Sequence, residues 1–153
     1  MTFSEIGALG EFIAAIAVLI TLIYLAVQIK HTQLAVSAHT HQALNDISIH
    51  LYTTAATCET LANAIAASVN EDVELTDTQI LQCRSFWTAM IRNAENMHYQ
   101  FKTGLLGEER IRISAEVLKR HMKRNKHFQQ LWNSLDMSLR PEFKVWIESV
   151  FLE

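Results

Sequence analysis

Glu95 and His98 stand in the segment ENMH, spaced i,i+3. On a helix that spacing puts a carboxylate and an imidazole on one face, half of the pattern that holds metal in carboxylate-bridged bundles. Asp46 and His50 are spaced i,i+4 and are expected on a neighbouring helix, where they could face the first pair. A dimetal bundle needs two E-x-x-H pairs and two further glutamates, and only one such pair is present. The four residues are therefore weak metal candidates; polar groups hydrogen-bonded between helices is the other reading. His39 and His41 add nothing, since i,i+2 side chains diverge on a helix. No spacing supports a Ser–His–Asp or Cys–His site, and four glycines are too few for a phosphate loop or a dinucleotide fingerprint. No catalytic residue and no cofactor is expected.

The second candidate is electrostatic. KRHMKRNKH carries Lys119, Arg120, Lys123, Arg124 and Lys126. Beside a bilayer such a tract can bind anionic headgroups at about 1 kcal/mol per charge. It can equally solvate a helix end and complement its dipole. A net charge of -3, with no recognised nucleic-acid fold or aromatic interleaving, excludes nucleic acid as the expected partner.

The third candidate lies near the N-terminus. FIAAIAVLITLIYLAVQIKH begins at Phe12, and from Phe12 to Val27 only Thr21 breaks the apolar run. The 24 residues from Ile6 to Ile29 would span about 36 Å as a helix, against roughly 30 Å of hydrocarbon. A helix with no polar face is suited to lipid on all sides. AVSA at 35–38 could suit a signal peptidase, but no Lys or Arg precedes the run, as an export signal requires. All 13 Lys and Arg follow it, starting at Lys30, which predicts an outside N-terminus and a cytoplasmic remainder in an inner membrane. Glu11 is either a carboxylate at the edge of the hydrocarbon, where a ring of copies could line a pore, or a headgroup-level residue near the helix start. Gly7, Gly10, Ala14, Ala15 and Ala17 place small residues on one side, and Gly10 with Ala14 has the small-xxx-small spacing that lets helices approach closely.

These residues must be positioned by helices. No Gly or Pro occurs between Gly10 and Gly104, and β-branched alternation is absent. The expected fold is all-α, a transmembrane anchor over 1–30 continuing into an antiparallel helical domain over 31–153. The stripe Leu34, Ala38, His41, Leu44, Ile47 or Ser48, Leu51 predicts that the membrane helix continues unbroken. A break is expected in TTAATCET with Thr57 as the new cap, then a short helix over 58–69 and a loop in VNEDVEL. TDTQ at 76–79 has the capping-box form. The following helix should carry its apolar face on Ile80, Cys83, Trp87, Met90, Ala94, Met97 and Phe101 and end at Gly104. A fourth helix should begin at Glu108 and Glu109, a fifth be capped by Asn125, and a sixth hold Pro141 in its first turn. Cys58 and Cys83 fit no metal or redox spacing and read as two thiols, buried or half-buried, in a reducing compartment.

LGEFIAAIAVLITLIYLAVQI, ENMHYQFKTGLLGEE and RPEFKVWIESVFLE resemble an uncharacterised family of small proteobacterial single-pass membrane proteins. Its blocks read GEF(I/L)GAIAVVxSLIYLAxQIRxN, ENxYYQYxxGLLDEE and SPEFRxYVD. The chain departs from them at His98, where Tyr is usual, at Gly107, where Asp is usual, and at His31, Thr32 and Gln33, where the family starts its cytoplasmic helix with arginine. The resemblance implies architecture and no catalytic residues. The expectation is a non-enzymatic homo-oligomer or an accessory subunit of a membrane complex; a tethered metal- or ligand-binding bundle and an oligomeric ion pore are the alternatives.

Overall fold

The structure, a computed structural model, describes residues 3–70, 73–135 and 138–152, without the side chains of residues 5 and 6. Six helices account for nearly all of them, with no strand among the described residues: α1 (Phe3–Thr57), α2 (Glu59–Ser68), α3 (Asp77–Lys102), α4 (Glu108–Arg124), α5 (Lys126–Leu135) and α6 (Pro141–Leu152). Residues 71 and 72 of the expected VNEDVEL loop lie outside the described residues.

The chain forms two compact units, Met1–His39 and Thr40–Glu153. The described residues of the first are helix alone. That helix is long and apolar enough to cross a membrane, and none of its apolar window is buried. Thr21 returns its hydroxyl to the Ala17 carbonyl at 2.8 Å, so the one polar side chain of the run is satisfied within the helix. Leu34, Ala38 and His41, expected on the packed stripe, are exposed; the packed side of α1 begins with Leu44 and continues through Ser48, Leu51 and Ala55.

In the second unit α3 is central, packing on α2, α4, α5 and α6. Its apolar face is as expected through Cys83, Trp87, Met90, Ala94 and Met97, while Ile80 and Phe101 are half-buried. Phe86 and Ile91 widen the buried side beyond that stripe, because α3 has neighbours on several sides. Trp87 meets Phe128 edge-on (5.8 Å, 81°), and Trp132 meets Phe151 in the same manner (5.2 Å, 70°). Fully burying a side chain such as Phe128 is worth about 1.5–3 kcal/mol.

The helix ends follow local chemistry. Thr76 accepts from the Gln79 amide, and Gln79 accepts in turn from the Thr76 amide at 2.9 Å. α3 stops in a Schellman motif: Leu105 donates to the Gln100 carbonyl and Gly104 to the Phe101 carbonyl, both at 2.9 Å. Gly104 has φ +77, the left-handed conformation that a side chain would strain. Asn125 caps α5, its Oδ1 accepting from the amides of His127 and Phe128. Thr57 is not the cap of α2. Its hydroxyl donates back to the Thr53 carbonyl at 2.8 Å, and Cys58 holds the N-cap position with no capping side-chain bond. Thr57 is still within α1, whereas an N-cap needs extended backbone, which the chain adopts one residue later at Cys58 (φ -89, ψ 98).

Candidate functional site

Glu95 and His98 do share a face of α3 and both are buried, but what they meet is α6. One oxygen of the Glu95 carboxylate, Oε1, accepts from the Arg140 amide at 2.6 Å, and Oε2 accepts from Arg92 Nη1 at 2.8 Å. The Arg140 carbonyl takes the first bond of α6, from the Lys144 amide, so Glu95 puts its charge at the positive end of that helix. Arg92 also grips the approach to α6, donating to the Ser138 carbonyl and hydroxyl. The Arg140 guanidinium lies 4.3 Å from the centre of the Tyr99 ring. His98 packs on Trp146 (5.1 Å) and Phe143 (5.8 Å). Burial, then the Lys102 cation, holds its imidazole below the usual histidine range, with Glu142 opposing.

Asp46 and His50, expected to face this pair, are exposed on α1 instead. The α1 face turned to α3 carries Ser48, which accepts from Asn93 Nδ2 at 3.2 Å. The i,i+4 spacing aligned Asp46 with His50 correctly; the helix rotation that buries Leu44 turns both outward. No group of three or more metal-ligating side chains gathers among the described residues.

The basic tract closes α4. Arg120, Lys123, Arg124 and Lys126 are exposed. Lys119 differs: its side chain is 13% exposed, with Nζ 3.7 Å from Glu116, so it lies along the protein surface and is not offered to a headgroup. His121, in the middle of the tract, turns inward to stack on Phe128 (5.6 Å) beside Trp87 (6.4 Å). Burial and the neighbouring Arg120 cation hold it below the usual histidine range.

On the apolar part of α1, Gly7, Gly10, Glu11, Ala14, Ala15 and Ala17 are all exposed. A Cβ added at Gly7 or Gly10 would meet nothing within 4 Å.

One feature of the domain has no counterpart among the residues expected from the sequence. α1, α3 and α4 enclose a half-open cavity of about 200 Å³, with Asn45 and Ser48 on α1, Asn93 on α3 and Arg110 on α4. Arg110 Nη2 donates to Asn45 Oδ1 at 2.9 Å. Asn93 Oδ1 is buried with no hydrogen-bond partner. Ser48 and Asn93 are part-buried and Asn45 is exposed, and nothing in their type or spacing singles them out in the sequence. No family model matches the chain, no curated protein matches it, and no solved structure matches it.

Proposed function

We propose that this chain is a non-enzymatic single-pass membrane protein whose membrane helix self-associates or docks on a larger membrane complex. The observation that supports it is α1 from Phe12 to Val27, exposed around its whole circumference although only Thr21 breaks the apolar run. In water such a surface is an aggregation hazard; in hydrocarbon each Leu, Ile, Phe or Val contributes about 0.3–0.6 kcal/mol to insertion. The distribution of Lys and Arg favours an N-terminus outside and residues 31–153 in the cytoplasm, in an inner membrane, in keeping with the resemblance to small proteobacterial membrane proteins. The Gly10–Ala14 face supports a homo-oligomer or a membrane-protein partner, since its small-xxx-small spacing permits close helix approach and both residues are exposed.

The test is the mass of the full chain extracted in mild detergent. Wild type is expected above monomer mass, and Gly10→Ile with Ala14→Ile is expected to return it to monomer. A chain that remains a compact monomer in solution without detergent would sink the membrane reading. An unchanged oligomer in the double variant would remove the packing face alone. Cysteine labelling at Cys58 in oriented vesicles checks the topology, with protection from the outer side expected.

A further inference from the structure

α3 and α6 run side by side in the same sense: Glu95 meets the Arg140 amide at the start of α6, and His98 meets Trp146 farther along both helices. Between them lies an open groove of about 660 Å³. His98, Phe101 and Lys102 form its α3 side, and Glu142, Val145 and Trp146 its α6 side. His98 is 6% exposed and makes the floor, whereas Val145 stands 71% exposed on the α6 rim. Phe101 and Trp146 are half-buried. The rims carry opposite charges, Lys102 on α3 and Glu142 on α6, both exposed. Each acts on the imidazole between them, Lys102 lowering its pKa and Glu142 raising it, so both charges stand near the groove floor. Neither forms an ion pair among the described residues, since the groove holds the two apart.

We propose that this groove is an interface between two copies of the chain, related by a two-fold axis parallel to α3 and α6. Such an axis lays the α3 rim of each copy on the α6 rim of the other. An isologous contact sets one patch against itself, and a patch with a cation on one rim and an anion on the other is its own complement. Lys102 of each copy then meets Glu142 of the other, twice over. Lys102 sits about one turn farther along the helix pair than Glu142, an offset its four-carbon stem spans. The same exchange seats Val145 of each copy against Phe101 of the other, and these apolar contacts supply affinity while the charges set orientation. An anionic bilayer surface suits the groove less well, because it attracts cations alone and Glu142 opposes it. The interface rests on the self-association proposed above and adds to it a second contact, on the helices that follow α1.

The experiment uses two variants of the full chain, Lys102→Glu and Glu142→Lys, expressed together in one membrane. A carbodiimide joins a lysine amine to a carboxylate in contact with it, and mass spectrometry of the digest finds the joined peptides. Neither variant holds both a lysine and a carboxylate at positions 102 and 142, so a join between these positions has to link two copies. In the mixed pair both contacts are again between opposite charges, and the join is expected. Val145→Arg in both chains should lower its yield about tenfold, because it brings an unpaired cation into each apolar contact. Positions 102, 142 and 145 are all exposed, so these substitutions should leave the melting temperature of the domain near wild type. No join in a chain whose mass in detergent is above monomer overturns this interface and leaves the membrane-helix packing standing; a monomer overturns both. A yield undiminished by Val145→Arg reports chance encounter and overturns the proposal. So does fluorescence quenching by brominated lipid that disappears in Trp146→Phe, which would put a bilayer in the groove.

Discussion

Replacing Glu95 with alanine should loosen the last helix of the domain. The carboxylate holds the Arg140 amide at 2.6 Å and Arg92 at 2.8 Å from a position only 8% exposed. Pro141 follows Arg140 and has no N–H, so the Arg140 amide is the donor that α6 turns toward α3. A hydrogen bond to a charged acceptor is worth about 1.5–3 kcal/mol, and the alanine leaves that amide without its partner. The Arg92 pair adds little, since the Arg92 side chain is 42% exposed and such pairs are worth about 0–1 kcal/mol. The sum for Glu95→Ala is about 3 kcal/mol. Glu95→Gln keeps an oxygen for Arg140 and loses the charge at the helix end, about 1 kcal/mol. At roughly 4 °C per kcal/mol for a domain of this size, the alanine variant should melt about 12 °C lower and the glutamine variant about 4 °C lower. Tryptophan fluorescence of the full chain in micelles reads this cleanly. Trp87, Trp132 and Trp146 all lie in the domain, and Trp146 is on α6 itself. A melting temperature for Glu95→Ala equal to wild type would refute the capping role, as would a glutamine variant worse than alanine.

Three further perturbations have defined signs. His98 and His121 are both held below the histidine value of 6.5, so above about pH 7 each is neutral whether folded or unfolded and contributes nothing. As pH falls below 6.5 the unfolded chain takes up protons that the folded chain resists, and stability must fall; the melting temperature should drop between pH 7.5 and 5.5, and drop less in His98→Phe with His121→Phe. Asn125 is 2% exposed, caps α5 and donates to Ser68 Oγ at 2.9 Å, so Asn125→Ala should cost about 2 kcal/mol in chemical denaturation, and an unchanged midpoint would show that the cap is dispensable. Hydrogen bonds from Thr60 and the Leu61 amide hold the half-buried Cys58 thiol below its usual range, whereas burial pushes the Cys83 thiol up; alkylation of the native chain should modify Cys58 first, and faster modification of Cys83 would contradict the packing.

The helices were legible where a terminus carries its own chemistry. TDTQ, the Gly after FKT, Asn125 and Pro141 each act through bonds to residues within a few positions, so the local sequence contains both partners. The Thr57 expectation failed at the same scale. Residue type marks that a helix starts nearby but not at which residue the backbone turns extended: α1 keeps Thr57 helical, and Cys58 takes the N-cap position. The exposure of Leu34 and Ala38 was out of reach for a different reason: the 3.5 spacing marks a stripe but not where along it the neighbouring helices begin. Stripes are properties of one helix, and cover is a property of the others.

The same distinction governs the polar residues of the domain. An E-x-x-H pair fixes only that a carboxylate and an imidazole share a face. Their chemistry depends on what the facing helix brings. α1 meets α3 at Asn93, on a different face from the pair, and α6 brings to Glu95 and His98 an amide donor and two aromatic rings, so the pair becomes a cap and a packing surface. The cavity at Asn93 shows the converse. Its residues look unremarkable in the sequence, since asparagine and serine on a helix usually face water. They gain significance because α1, α3 and α4 converge on them and leave one carbonyl buried with nothing to accept from. A motif search weighs residues by type and spacing, so it ranks Glu95 above Asn93. The structure reverses that order, because satisfaction of hydrogen bonds is counted only once the helices are packed: both Glu95 oxygens are spoken for and the Asn93 carbonyl is not.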